Sequence, residues 1–353
     1  MQLHQHYEDG HGFPVPTVLT LSMQKIIAHL ADESGCGFYR LMTPVKTLKY
    51  FGLADTYQTT AFLPPQWIKD NQPDVCVFQR QTEAQQATEI ERYKENDPDL
   101  KLIFDIDDLL WAAPYGNPYQ KYFKAEQQKA LRKGLRAVEL VTASTAPLKD
   151  QLDAWVGVQS VILPNLVSGQ FFVPPKGRGK RKLRVGYAGS ATHLEDLRLI
   201  SYVIKETHTF VDWIFLGYCI PEFTPYISQY FPGVKVQEYL PALNKMNLDV
   251  AVAPLVDNEF NRCKSNLKLI EFGAVGVPVI CSKVYPYSNS PGFLITPGKR
   301  QWKDWLEAIH AYDNDEVLRM DHAVKTQQYA ALFQLEKPEN IERIRKTWLK
   351  NSS

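Results

Sequence analysis

Short apolar runs rich in β-branched residues recur along almost the whole chain, separated by longer stretches of helical character. KIIAHL, DVCVFQ, LKLIFDI, AVELVTA, QSVILP, LRVGYAG, VDWIFLG, VKVQEYL, LDVAVAP and VPVICS read as strands. TEAQQATEIERYKEN and PYQKYFKAEQQKALRKGLR, lying between such runs, read as helices. This alternation restricts the chain to βαβ units and mainly parallel sheets. The runs are apolar throughout rather than alternating, so helices must cover both faces of each sheet. At 353 residues the chain has length for about two such units, each with its own core.

The boundary between them is marked. After Pro164 the segment NLVSGQFFVPPKGRGKRK turns Pro-, Gly- and Lys/Arg-rich and loses its periodicity, and LRVGYAG then opens a new strand. The expected division is residues 1–168, a linker at 169–182, a second unit at 183–335, and a tail at 336–353. The tail KPENIERIRKTWLK predicts a helix opened by Pro338, acidic early and basic late, packing back toward the first unit.

Forty Lys plus Arg against thirty-nine Asp plus Glu leave a formal charge of +1, which excludes a broadly basic nucleic-acid coat and an acidic solvating protein. No apolar run approaches the roughly 18 residues of a membrane span, and the polar start MQLHQHYEDGHG shows no secretory signal. Five well-separated cysteines without a C-x-x-C pair argue for a reducing compartment, here a cytoplasm. His4, His6 and His11 sit in an aperiodic polar leader and read as a tail rather than a metal site.

The richest stretch runs from Asp249 to Ser282. A strand leads into a polar loop, a helix predicted from about Lys264, and a strand near Val277. On that helix Lys264, Lys268 and Glu271 fall within about 60° of one another. Two ammonium groups suit phosphate oxygens, and one carboxylate suits ribose hydroxyls. The plainer alternative is a solvated, salt-bridged helix face. In GYAGSATHLEDL, Thr192 and Glu195 form a T-x-x-E capping box that predicts a helix from His193, with Gly189 and Ser190 placed to approach an anion. An ordinary strand-to-helix turn is the alternative. Gly35 and Gly37 punctuate the junction after KIIAHL, with Arg40 following as a phosphate contact or a structural ion pair. In FDIDDLLW, Asp105, Asp107 and Asp108 end a strand, where α/β ligand sites form. They could cap a helix, orient an acceptor hydroxyl as a base, or hold a metal ion through Asp105 and Asp107. The basic run Lys176, Arg178, Lys180, Arg181, Lys182 and Arg184 reads as a solvated linker or a contact for a polyanion.

KSNLKLIEFGAVGVPVI resembles the donor-site signature of GT-B glycosyltransferases, in particular the retaining GT4 type in its K-S-x-x-K-x-x-E form. SVILPNLVSGQFF, LRVGYAGSATHLEDLRLI, VDWIFLG and LDVAVAPL resemble further blocks of that family, with Leu166 where Gly is usual. The resemblance implies an α/β fold of two Rossmann-like domains with parallel sheets facing an interdomain cleft. The first domain would serve the acceptor and the second would bind the nucleotide diphosphate sugar. It implies Glu271 on the donor ribose, with Gly189, Ser190, His193, Lys264, Ser265, Lys268 and Leu269 also on the donor. Gly35, Gly37 and Arg40 would form an acceptor or phosphate loop. Asp107, Asp108, Lys264 and Glu271 would be catalytic, Asp107 standing where the family often has His. The reaction implied is transfer of a hexosyl-type sugar, UDP-glucose being a typical donor, with retention and without metal or other cofactor. The acceptor would be a glycan, or hydroxymethylated bases of phage-type DNA, in a bacterium or a phage-infected cell. Two departures stand out: Cys263, eight residues before Glu271, occupies the place of a frequent first Glu, and the expected His is missing. They keep open a catalytically silent sugar-nucleotide binder, and the D-x-D spacing keeps open a metal-dependent transferase.

Overall fold

The computed structural model describes residues 23–114 and 117–350; the three leader histidines lie outside the described residues. Two six-stranded sheets organise the chain. The first comprises β1 (Gln24–His29), β2 (Ala54–Thr59), β3 (Val75–Gln79), β4 (Lys101–Ile106), β5 (Leu140–Ala143) and β6 (Ser160–Ile162), in the order β2-β1-β3-β4-β5-β6. The second comprises β7 (Leu183–Gly189), β8 (Val211–Gly217), β9 (Gln229–Phe231), β10 (Val250–Ala253), β11 (Val279–Ser282) and β12 (Leu294–Ile295), in the order β12-β11-β10-β7-β8-β9. Every pairing is parallel. The central strands β3 and β10 are buried on both faces, which is why their sequences carry no alternation.

The strand forecast fails at VKVQEYL, which is part of a helix, Val236–Lys245. Its apolar side chains Val236, Tyr239, Leu240 and Leu243 recur at i, i+3, i+4 and i+7, so one stripe packs into the second core. The strand of this region is instead the short edge strand Gln229–Phe231. The polar edge strand β2, with sequence ADTYQT, also escapes an apolar reading because one side of it faces solvent.

The tail helix Pro338–Trp348 lies against the first sheet's layer, with Ile344 and Trp348 wholly buried beside Ile26, Leu41 and Leu48. Gln24 and Lys350 exchange two hydrogen bonds, tying the start of β1 to the residues after this helix. The stretch between the sheets is mostly irregular, and several residues of the basic run are engaged within the chain. Arg178 pairs with Asp313 and Arg181 with Asp249, while Arg184 donates to the Met246 and Asn247 carbonyls. All five cysteines are unpaired. Among the described residues, no helix is long and apolar enough to cross a membrane.

Candidate functional site

A cleft of about 710 Å³ opens where loops after the carboxyl ends of both sheets meet, the place where open α/β sheets bind ligands. From the first sheet come the 34–40 segment after β1, Asp107 and Asp108 after β4, and Asn165 after β6. From the second come the 189–193 turn after β7 and the stretch from Lys264 to Glu271 after β10.

The helix carrying Glu271 starts later than its sequence suggests. It spans Leu267–Ala274, preceded by a separate turn of helix at Glu259–Arg262, so Lys264 and Ser265 sit in the connecting turn. The break leaves Lys264, Lys268 and Glu271 converging on the cleft by a different route from one continuous helical face. Asn266 makes no side-chain cap, so the amides of Leu267, Lys268 and Leu269 are left without i→i−4 partners. Leu269 departs from expectation: its side chain is in the second core, not in the cleft, and only its amide belongs to this helix start. Gly276, at φ +72, ends the unit; a Cβ there would strike the backbone of Val173 and Pro175.

Lys268 donates to the Ala188 carbonyl and lies 4.8 Å above the Tyr187 ring. Gly189 leaves room for this, since a Cβ would come within 2.7 Å of the Lys268 ammonium and 2.5 Å of the Tyr187 hydroxyl and displace them. Burial, offset in part by Glu271, lowers Lys268 to about 8. Glu271 is 5% exposed. Its Oε1 accepts from Tyr39 Oη at 2.8 Å, across the cleft, and Tyr239 adds a second hydroxyl. Burial raises Glu271 to about 7 despite Lys268 and the two phenols. The solvated salt-bridged face is therefore excluded: Glu271 is buried, and half-buried Lys268 is held on the Ala188 carbonyl.

The 189–193 turn also differs from its forecast. Thr192 does not cap; Ser190 Oγ and Thr192 Oγ1 bond each other at 2.7 Å, and Glu195 pairs with Arg198. A single 3-10 turn, Ala191–His193, precedes a five-residue helix, Leu194–Arg198. So short a helix has little dipole to offer an anion. His193 Nδ1 lies 2.8 Å from Asp196 Oδ2.

On the opposite wall, Arg80 binds both aspartates: Asp107 directly, and Asp108 at 3.2 Å. Asp108 also lies 3.5 Å from Lys264. Burial raises Asp107 against the pull of Arg80. For Asp108 burial pushes upward too, but Lys264 and Arg80 together hold it below the usual carboxylate range. Arg80 takes a left-handed φ of +49, a backbone strain that tends to gather at functional sites.

Three candidates are taken up inside the fold. Arg40 lines the cleft, but its guanidinium is spent on Asp105 at 2.6 and 2.9 Å, the Leu163 carbonyl and Asn165. It serves as a structural ion pair rather than a phosphate ligand. Asp105 is correspondingly closed to a D-x-D metal, being fully buried with both oxygens on Arg40 and one also on Thr142. Gly37 is structural as well: a Cβ would overlap the Asp32 carbonyl at 1.8 Å, whereas Gly35 stands free at the cleft wall. Among the described residues, no group of three His, Cys, Asp or Glu side chains could hold a metal. Cys263 is buried against the first sheet's core, its thiol pushed up to about 12 by burial, and its carbonyl accepts from Thr145. Glu259, the nearest acid before Cys263 in the chain, is exposed and outside the cleft lining.

Sequence reasoning missed Tyr39, Tyr239, Arg80, Asp196 and the linking role of Asn165. Arg80 carried a usable signal, a charge at the carboxyl end of an apolar strand, the same signal that marked Asp107. Asn165 joins the halves: Oδ1 accepts from Arg40, and Nδ2 donates to Ser265 Oγ at 2.9 Å.

No family model matches the chain, and no curated protein matches it in sequence. It is similar in structure to a glycosyltransferase from Rickettsia africae, at 14% identity and TM-score 0.61, over 94% of this chain and 100% of that one. It is similar to Anabaena HepE in complex with UDP, at 12% identity and TM-score 0.60, over 92% and 98%. It is also similar to T4 phage BGT in complex with its UDP-glucose substrate, at 13% identity and TM-score 0.58, over 92% and 99%. The chain has the GT-B fold: two parallel α/β layers facing a common cleft.

Proposed function

We propose that the protein is a glycosyltransferase that moves a sugar from a UDP-sugar to a hydroxyl of a saccharide acceptor. The observation that carries this is the convergence of Lys264, Lys268 and Glu271 on one interlayer cleft, beside the amides of Leu267 and Lys268 at a helix start without a side-chain cap. Two ammonium groups and those amides suit the two phosphates of a nucleotide diphosphate. They also stabilise the charge that grows on the leaving diphosphate, usually the dominant contribution to such catalysis. With cations supplied by the chain itself, transfer proceeds without a metal. Glu271 takes the ribose hydroxyls, exchanging them for the phenols of Tyr39 and Tyr239. Asp107 and Asp108 lie across the cleft on the acceptor side. We assign 1–168 to the acceptor half, 169–182 to the linker, 183–335 to the donor half and 336–353 to a returning helix. UDP is favoured as the nucleotide because two structures of similar fold hold UDP or UDP-glucose. Retention of configuration rests on the resemblance around KSNLKLIEF alone. A saccharide acceptor is preferred to modified DNA because Arg178, Arg181 and Arg184 of the basic run are engaged within the chain.

The test is calorimetric binding of UDP, GDP and ADP, followed by turnover of UDP-sugars with saccharides and with hydroxymethylated duplex DNA. UDP binding that weakens at least tenfold in Lys264→Ala supports the reading, as does sugar transfer lost in folded Glu271→Ala. Failure of all three nucleotides to bind refutes it. Binding without transfer to any acceptor, and without donor hydrolysis, leaves a silent binder and refutes the enzymatic part.

A further inference from the structure

Of the side chains lining the cleft, His193 is the one whose partners determine which ring nitrogen carries hydrogen. Asp196 is buried, and its Oδ1 accepts from the Val256 amide at 2.8 Å and from Asn261 Nδ2 at 2.9 Å. Its Oδ2 faces His193 Nδ1 at 2.8 Å. A carboxylate only accepts, so Nδ1 must donate. Burial, reinforced by the ammonium groups of Lys264 and Lys268, outweighs Asp196 and lowers His193 to about 4, so at neutral pH the ring carries a single hydrogen. The other nitrogen, Nε2, then keeps its lone pair.

We propose that His193 is a sugar-recognition residue whose unprotonated Nε2 accepts a hydrogen bond from a hydroxyl of the transferred sugar. Asp196 is its positioning residue, holding the tautomer. The proposal rests on the nucleotide-sugar reading above and adds to it the part of the donor that this residue meets. An imidazole lone pair repels an ionised phosphate oxygen and welcomes a hydroxyl hydrogen. His193 shares the cleft lining with Lys264, Lys268 and Asp108 and interacts electrostatically with all three. A donor with its diphosphate on the lysines then carries its sugar within the same lining, where this ring can meet a hydroxyl. Asp196 further fastens the 194–198 helix to the 256–261 loop that leads to Lys264, so the ring is held at a set place beside the phosphate site.

The experiment compares UDP with UDP-glucose, UDP-galactose and UDP-N-acetylglucosamine by calorimetry, on the full chain and on His193→Ala and Asp196→Asn. The expected result in His193→Ala is UDP affinity within about threefold of wild type, while the tightest UDP-sugar weakens roughly tenfold, the size of one lost hydrogen bond. In Asp196→Asn the amide faces Nδ1 and makes it an acceptor, so hydrogen moves to Nε2. 15N spectra of the folded variant should show that reversed tautomer, together with the same selective loss of UDP-sugar affinity. Equal weakening of UDP and UDP-sugars would make His193 a phosphate contact and overturn the proposal, as would no change in either. Wild-type protein that binds no UDP compound overturns the underlying functional reading instead, an outcome distinct from both.

Discussion

Glu271 should cost the fold stability at the pH where it is useful, and the cost can be worked from its surroundings. Its carboxyl is raised from 4.5 to about 7 by burial, with Lys268, Tyr39 and Tyr239 recovering only part of the penalty. An acid whose folded pKa lies above its unfolded value binds more protons folded than unfolded between the two. Stability therefore falls as pH rises from about 4.5 to 7 and stays lowered above that. The full shift corresponds to about 3 kcal/mol at ~1.4 kcal/mol per pKa unit. Glu271→Gln keeps the volume and an acceptor for the phenols, and the attraction of Lys268 is already contained in the shift, so about 3 kcal/mol is the net expectation. For 353 residues unfolding together, at ~2.1 cal/mol/K per residue, that is a rise in Tm of about 4 °C at pH 8. At pH 4.5 the two proteins should melt together. Thermal melts of wild type and variant from pH 4.5 to 8.5, with UDP titrations on the same samples, make the measurement. The variant should gain stability toward alkaline pH while losing UDP affinity at least tenfold. A difference in Tm that does not vary with pH, or a variant less stable at pH 8 than at pH 5 relative to wild type, would refute the account of this carboxyl.

Lys268→Ala should weaken UDP binding about 10- to 100-fold, the range of a charge-assisted hydrogen bond, with less effect on uridine, which lacks the phosphates; equal effects on both would place Lys268 away from the diphosphate. His29 is buried between the rings of Phe62 and Phe78, each 4.9 Å away, and burial lowers it to about 4. A base with a lowered folded pKa gives stability that is present above its unfolded value of 6.5 and lost as pH falls toward 4. His29→Phe should therefore gain up to about 3 kcal/mol over wild type between pH 6.5 and 4 in denaturant titrations; parallel pH profiles would contradict it. Arg40→Met alone should destabilise by about 3–5 kcal/mol by stranding Asp105, and Arg40→Met with Asp105→Leu should recover much of that. Urea midpoints of both variants decide, and a double variant no better than the single one would show that the pair does more than neutralise charge.

The architecture was legible because a doubly covered parallel strand needs an unbroken apolar run, and β3, β4, β8 and β10 all have one. Where burial is one-sided the signal fades, as in β2 with ADTYQT, or imitates a strand, as VKVQEYL does at the start of a helix. Lys264, Ser265, Lys268 and Glu271 were legible as a group because they lie within eight residues of one another. What the sequence could not show is anything that closes a circuit between distant segments. Tyr39 and Glu271 are 232 positions apart and meet only because the two sheets face each other, while Arg40 and Asp105, 65 apart, meet only because the first sheet brings the segment after β1 to the end of β4. Asp107, Asp108, Arg80 and Lys264 likewise form one charged cluster from three separate segments of the chain. The same fact explains why local patterns could not choose between a ligand and a structural partner. Arg40, Gly37 and Asp105 each carried a local pattern that suits a ligand, and each proved to be consumed by a neighbour that only the fold supplies. A charged side chain buried at a strand end will take the nearest opposite charge the fold provides, because leaving it unpaired costs several kcal/mol. Groups left partly exposed at the cleft wall, such as Lys264 and Asp108 at 3.5 Å, are held loosely enough that an incoming phosphate can compete for the ammonium.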